Sequence, residues 1–173
     1  GEVHDFDLTL EFRLSGEDAN SGVQFRSTRK DNGYANGYQG DMDRTGDWLG
    51  KIYEEGRRGM LGERGQRTVI SPQGKRWKEP LTEDAKTLLS YFKPDDWNTY
   101  RIRALGPHLE IWVNGRLTCV VDDHHLGAST YSGRLALQLH SGRGEVKVQF
   151  RNIKLLDLGK TETPKPPAED AGA

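Results

Sequence analysis

The sequence predicts an all-β chain folded as an antiparallel β-sandwich, and three observations carry that expectation. Apolar and polar residues alternate strictly through residues 6–14 and again through 135–140, the period of a strand with one buried face. Turn signals recur at short spacing, the strongest being Asn114-Gly115, where both residues suit the positive φ of a hairpin turn. Only one short stretch has helical character, and about eight short strands with tight turns pack best as two stacked sheets.

The first strand sets Phe6, Leu8, Leu10, Phe12 and Leu14 against Asp7, Thr9, Glu11 and Arg13. SGEDANSG is turn chemistry, with DANSG (18–22) shaping a tight turn. VQFRS then points Val23 and Phe25 inward and Gln24 and Arg26 outward, and GYQGDM sets Tyr38 and Met42 against Gln39 and Asp41. WLGKIYEE reads as a fourth strand whose parity is open around Gly50, so Tyr53 and Glu54 are both carried forward as outer-face residues.

From residue 56 to 96 the period dissolves into the basic, glycine-rich GRRGMLGERGQR and the proline-flanked SPQGKRWKEP. Only LTEDAKTLLSYF suggests a helical turn, with Thr82 as its cap. So long an irregular segment is expected to be functional or mobile. Strands resume at WNTYRIRAL, LEIWV and RLTCVV, and DDHH (122–125) reads as a solvated turn. RLALQLH is expected as a central strand, with Leu135, Leu137 and Leu139 in the core and Gln138 and His140 on the outer face. In EVKVQFRNIKLLDL the apolar phase shifts from Val146, Val148 and Phe150 to Ile153 and Leu155, which predicts a bulge near Arg151-Asn152. Trp97, Tyr100, Ile111, Val113 and Val148 read as core. The expectation is one sandwich domain over residues 1–158, followed by a Pro-rich linker or tail over 159–173 that could lead to a further domain.

Composition narrows the function classes. Lys+Arg 25 against Asp+Glu 26 gives a net charge of -1, with no basic excess for nucleic acid or an anionic membrane surface. No apolar run approaches the length of a membrane-spanning helix. The single cysteine, Cys119, excludes an intrachain disulfide and a cysteine-only metal cluster. A hydrophobic content of 34% with a mean hydropathy of -0.81 suits a fold that buries alternate residues.

The outer faces carry the functional signal. Gln24/Arg26, Gln39/Asp41, Tyr53/Glu54 and Gln138/His140 each sit opposite apolar neighbours. Any one pair is an ordinary solvated position, and Asp41 with Arg26 could be a surface ion pair. Together they present planar amide, guanidinium, carboxylate and imidazole groups in place of the Lys, Glu and Thr usual on a wet face. Sugar hydroxyls are recognised by such groups, and Trp48, Tyr53 or Trp77 could stack on the apolar side of a ring.

DFDLTLEFRL, NSGVQFRS, GYQGDM, GKIYEEGRRGML, WNTYRIRAL, VNGRLT and GRLALQLHSGRGEVKVQFRNIKL, in that order across residues 6–156, closely resemble the 3-keto-disaccharide hydrolase domain family, long labelled a domain of unknown function. The resemblance implies a jelly-roll sandwich similar to the concanavalin A-like lectins and glucanases, with sugar bound on a concave face. It also implies an oxidised sugar or glycoside as the partner, and a periplasmic or extracellular bacterial location. Family members carry further residues before the position of Gly1, so part of the N-terminal portion is expected to be lacking here.

Substrates already oxidised at the sugar's third carbon have an acidic C2 hydrogen, so a base, an oxyanion partner and a proton donor would suffice for elimination of the C1 substituent and net hydrolysis. His140 is the candidate base, since imidazole titrates nearest neutrality; its alternative is a strand-end histidine bonded to the SGRG turn. Asp41 and Glu54 are candidates for the acid, a second base or hydroxyl acceptors. Arg26 is the candidate oxyanion partner because of its planar fork, and Arg57 and Arg58 could close over a ligand. The residues point to no definite cofactor; a divalent metal on Asp41, Glu54 and His140 could replace Arg26 as the oxyanion partner, although no spacing signature marks it. A non-catalytic carbohydrate-binding module and a conventional glycosidase using Asp41 and Glu54 are the competing readings.

Overall fold

A computed structural model describes residues 1–141 and 144–160. The expected tail from residue 161 onward and the centre of the SGRG turn lie outside the described residues. In chain order the strands are β1 (Asp5–Ser15), β2 (Asn20–Arg29), β3 (Ala35–Asp43), β4 (Ile52–Glu55), β5 (Gly59–Gly62), β6 (Gln66–Ile70), β7 (Arg76–Pro80), β8 (Asn98–Leu105), β9 (His108–Val113), β10 (Arg116–Asp123), β11 (Arg134–Leu137) and β12 (Lys147–Gly159), with one helix, α1 (Ala85–Ser90), between β7 and β8. They form a seven-stranded sheet, β12-β1-β8-β9-β10-β6-β7, and a five-stranded sheet, β11-β2-β3-β4-β5. Neighbours pair antiparallel except β6 and β10, which run parallel.

Alternation along each strand explains the sandwich. Phe6, Leu8, Leu10, Phe12 and Leu14 of β1, with Tyr100, Ile102 and Ala104 of β8, face Val23, Phe25, Tyr38, Met42 and Ile52 across the interlayer, all buried. Edge-to-face contacts of Phe6 with Phe25 (6.0 Å) and Phe12 with Tyr100 (5.7 Å) tie the layer together. Asn114 (φ 49) and Gly115 (φ 75) make the β9–β10 hairpin. The bulge in β12 falls at Asn152 (φ 52), where the β1–β12 register shifts between Thr9 and Glu11.

Several expectations are corrected. The stretch read as irregular holds β5, β6, β7 and α1. GMLG is too glycine-rich, and the exposed RWKEP too polar, to display an apolar period. The helix is capped by Asp84, whose carboxylate accepts from Thr87 N at 2.7 Å, rather than by Thr82. DDHH is not a solvated turn: Asp122 and Asp123 end β10 and are buried. β11 is an edge strand among the described residues and ends at Leu137, so Leu135 is only partly buried and Leu137 is 44% exposed, while Gln138, Leu139 (90% exposed) and His140 lie beyond the strand rather than on a central one. Trp97 and Val148 are likewise only partly buried; Trp97 lies between the guanidinium groups of Arg13 (5.0 Å) and Arg151 (3.9 Å).

Candidate functional site

The register of the five-stranded sheet builds a row of amides. Ala136 pairs with Gln24, Gln24 with Gln39, and Gln39 with Tyr53, so these residues cross β11, β2, β3 and β4 on one level. One level along, Gln138 N donates to Gly22 O at 2.9 Å, and Gly22 pairs with Asp41. Gly22 is what lets the two levels touch. A Cβ there would sit 2.7 Å from Gln39 Nε2, so any side chain would displace the amide.

Through this gap the glutamines form a directed chain. Gln24 Nε2 donates to Gln39 Oε1 at 3.2 Å and to Ala35 O at 3.2 Å. Gln39 Nε2 donates to Asp41 Oδ1 at 2.7 Å and to Gln138 Oε1 at 3.2 Å. The backbone of Asp41 is pinned as well: its N donates to Lys51 O (3.0 Å), and its O accepts from Gly50 N (3.0 Å) and Tyr100 Oη (2.9 Å). In this chain of side chains two buried oxygens have no partner among the described residues, Asp41 Oδ2 and Gln24 Oε1. Burial pushes the Asp41 carboxyl up to about 7, with Asp43 and Glu55 adding to the rise and the Gln39 hydrogen bond opposing it.

Asp41 opens on a cavity of about 190 Å³, lined by Asn20, Gln39, Asp41, Trp48, Tyr53, Glu55, Gln138 and His140. At ~30 Å³ per water this is the room of about six waters, on the scale of one sugar ring. Trp48 and Tyr53 meet edge to face at 6.0 Å on one wall. The Trp48 turn is held by Asp43, whose carboxylate accepts from Trp48 N (2.9 Å) and Asp47 N (3.1 Å). His140 Nδ1 lies 2.9 Å from Ser141 O. A carbonyl only accepts, so Nδ1 carries the hydrogen and Nε2 is the basic nitrogen.

The outer-face set thus divides. Gln24, Gln39, Asp41, Tyr53, Trp48, Gln138 and His140 gather around this face of the sheet. Arg26 does not. A register shift between Phe25 and Thr28, with Arg26 at φ 47, reverses the strand's parity. Its buried guanidinium pairs with Asp5 at 2.8 Å and donates to His4 O, Gly106 O and Thr130 O.

Glu54 is also turned inward and fully buried, because Tyr53 takes the outer face of β4. It bonds Arg58 Nε at 2.5 Å and Arg57 Nη1 at 3.1 Å, while Arg58 bridges on to Asp123 at 2.5 Å. Tyr38 Oη donates to the same Asp123 carboxylate at 2.6 Å. Arg57 is held further by donating to Ala128 O at 2.6 Å and lines neither cavity of this face. With Glu54 saturated between the layers, the Asp41/Glu54 glycosidase pair is overturned. The proposed Asp41, Glu54 and His140 metal set does not converge either: no group of three or more His, Cys, Asp or Glu among the described residues is arranged to hold a metal ion.

Two lining residues escaped the sequence reading. Glu55 shares the outward parity of Tyr53, which fixing the strand's phase would have exposed. Asn20 has the parity of Gly22 and Gln24, but its place in DANSG made it look like a turn residue.

Residues 1–156 match the family profile of the 3-keto-alpha-glucoside-1,2-lyase-like domain. No curated protein matches the sequence. Among solved structures, the chain is similar to the carbohydrate binding module CBM66 from Bacillus subtilis, at 15% identity and a TM-score of 0.56 over 90% of this chain and 76% of that one. It is also similar to two proteins of Parabacteroides distasonis provisionally named glycosyl hydrolases. One is 21% identical with a TM-score of 0.57, covering 91% of this chain and 80% of that one. The other is 17% identical with a TM-score of 0.57, covering 91% and 74%. At these identities the likeness is one of fold, and it agrees with the two-sheet sandwich described above.

Proposed function

This chain belongs to the 3-keto-alpha-glucoside-1,2-lyase-like domain family, and on that premise we propose that the cavity beside Asp41 cleaves glycosides already oxidised to a ketone at the sugar's third carbon. The observation that carries the reading is Asp41, a residue lining the cavity of about 190 Å³ whose buried carboxyl oxygen Oδ2 has no partner among the described residues. A buried polar atom left unsatisfied is costly, so a ligand hydroxyl or leaving oxygen that meets it would remove that cost on binding.

The chemistry uses the ketone. A base removes the C2 hydrogen as a proton, and the C–H electron pair forms an enolate toward the C3 carbonyl. As the enolate collapses, the pair becomes the C1–C2 double bond, the C1–O bond breaks, and the leaving oxygen takes a proton. The products are an unsaturated keto sugar and a free alcohol, and addition of water across the new double bond completes a net hydrolysis. No external oxidant or reductant is consumed.

Each role has a candidate. His140 Nε2 is the base, since Nδ1 is committed to Ser141 O. Asp41 is the proton donor: Gln39 donates to Oδ1, so the proton of the neutral carboxyl resides on Oδ2. A carboxyl raised to about 7 keeps that proton in roughly half of the molecules at neutral pH and in most of them below it. With Arg26 engaged elsewhere, the amides of Asn20 and Gln138 are the donors left for the enolate oxygen. Trp48 and Tyr53 offer the apolar wall for the ring.

The test is incubation of the protein with the 3-keto derivative of a methyl α-glucoside, following methanol release and the absorbance of the unsaturated ketone. Release is expected. Saturable binding of unoxidised oligosaccharides, with no release at any pH from about 5 to 9, would favour a non-catalytic carbohydrate-binding module and sink the enzymatic reading.

A further inference from the structure

The sugar-sized cavity does not end at His140. On the same face of the sheet a second cavity of about 620 Å³ adjoins it, and the two share Glu55, Gln138 and His140. They are two lobes of one cleft, with the candidate base at the junction. The second lobe is more than three times the volume of the first, so it has room for a unit at least as large as a ring.

Two residues define what that unit would be. Gln24 is 6% exposed, and its amide hydrogens are committed to Ala35 O and Gln39 Oε1. That fixes the orientation of the amide and leaves Oε1, on a residue that lines this lobe, as a buried acceptor with no donor among the described residues. Tyr34 stands 71% exposed at the tip of the β2–β3 hairpin and lines the same lobe, its backbone N held by Asn32 Oδ1 at 3.1 Å. An unmet acceptor selects an O–H donor. An exposed aromatic face selects the flat side of a ring.

We propose that the second lobe is the leaving-group subsite, and that it takes a ring bearing at least one hydroxyl, the ring lying on Tyr34 and the hydroxyl donating to Gln24 Oε1. This rests on the reading that the first lobe holds the oxidised sugar. The scissile bond then spans the junction, within the part of the cleft that His140 and Gln138 share. A methyl leaving group meets neither Tyr34 nor Gln24.

The test compares kcat/KM for the 3-keto derivatives of methyl, phenyl and 4-hydroxyphenyl α-glucoside and of maltose. The rate is expected to rise from methyl to phenyl to 4-hydroxyphenyl. Tyr34→Ala should cut the phenyl-to-methyl ratio by about fivefold, the scale of one aromatic contact. Gln24→Leu should erase the advantage of 4-hydroxyphenyl over phenyl. The maltose and 4-hydroxyphenyl arms tell whether a sugar or a phenol is the better occupant. A flat ranking in the wild-type protein, or an unchanged phenyl-to-methyl ratio in Tyr34→Ala, overturns the subsite. Release from none of the keto sugars defeats the enzymatic reading alone. Titration calorimetry with the unoxidised methyl, phenyl and 4-hydroxyphenyl glucosides then decides the subsite, the same ranking upholding it and a flat one or no binding overturning it.

Discussion

Gln39 and Asp41 are hydrogen-bonded in one sense only: Gln39 Nε2 donates to Asp41 Oδ1 at 2.7 Å, because Gln39 Oε1 already accepts from Gln24 Nε2 at 3.2 Å. The amide cannot flip without breaking these two bonds and its donation to Gln138 Oε1, so Oδ1 is the accepting oxygen and Oδ2 the one that can hold a proton. In Gln39→Leu that hydrogen bond is lost. It lowers the Asp41 pKa, so removing it moves the pKa above its present value of about 7. If protonated Asp41 is the proton donor, the alkaline limb of the rate–pH profile shifts upward while kcat falls by about tenfold or more. A loss of rate with the limb in place would reduce Gln39 to a packing residue.

Asp41→Asn separates function from stability. An aspartate in water has a pKa of 3.8, whereas Asp41 in the fold titrates at about 7, chiefly through burial, so folding favours the protonated form. That contribution is fully present below pH 3.8 and is lost as pH rises through about 7. Asparagine cannot ionise and keeps an oxygen for Gln39. The variant should therefore be more stable than the parent at pH 8, by up to about 4 kcal/mol, and equal to it near pH 3.5. Turnover should fall by about a hundredfold or more. Thermal melts at the two pH values check the first part, and a stabilisation independent of pH would contradict it.

Residue alternation made much of this fold legible, and its failures have local causes. Phe6 to Leu14, Tyr38 with Met42, and Ile111 with Val113 fall where period 2 puts them, because those strands run without interruption. Arg26 was misplaced by one bulge. A residue at φ 47 turns the strand over, and no residue type in VQFRS announces it. Glu54 and Glu55 are two carboxylates in succession, so only the strand's phase tells them apart. Leu137 and Leu139 have the pattern of core residues, but Leu137 ends an edge strand and Leu139 lies beyond it, and edge position depends on which strands assemble beside it. The glutamine chain was visible as composition; its direction needed the register that sets Gly22 opposite Asp41.

Arg26→Met tests the reassignment of that residue. Its guanidinium is buried against Asp5 at 2.8 Å and donates to three backbone carbonyls. Removing the cation from a buried pair typically costs about 3–5 kcal/mol. A chemical denaturation midpoint well below that of the parent is expected. A stable variant that has lost only turnover would return Arg26 to the reaction.

His108 should make stability fall in mild alkali. Hydrogen bonds to Asp122 (2.6 Å) and Glu110 (3.0 Å) raise its pKa from 6.5 to about 9. A raised folded pKa stabilises fully below pH 6.5, and the gain is lost as pH climbs to about 9. The ring is 36% exposed, so solvent screening limits the effect to about 1 kcal/mol or less. Melting temperature should decline between pH 6.5 and 9 in the parent and stay flatter in His108→Gln. Parallel curves would show that the His108 pairing contributes nothing measurable.

His140→Ala puts the strongest demand on the functional reading. The imidazole lines both lobes of the cleft, and its one hydrogen bond among the described residues, Nδ1 to Ser141 O at 2.9 Å, is exposed. Nothing in the core leans on it, and an exposed contact of this kind is worth about 0.5 kcal/mol or less. The melting temperature should therefore scarcely move. A base supplies about a hundredfold or more of rate, so turnover of any 3-keto glycoside should drop by that factor whatever the leaving group. The C2 hydrogen offers a second check. Exchange of that hydrogen with deuterium from solvent, followed by NMR with a poor leaving group, should slow in parallel with turnover. A variant that melts far below the parent yet exchanges and turns over at the parent's rate would make His140 a clasp for the Ser141 turn.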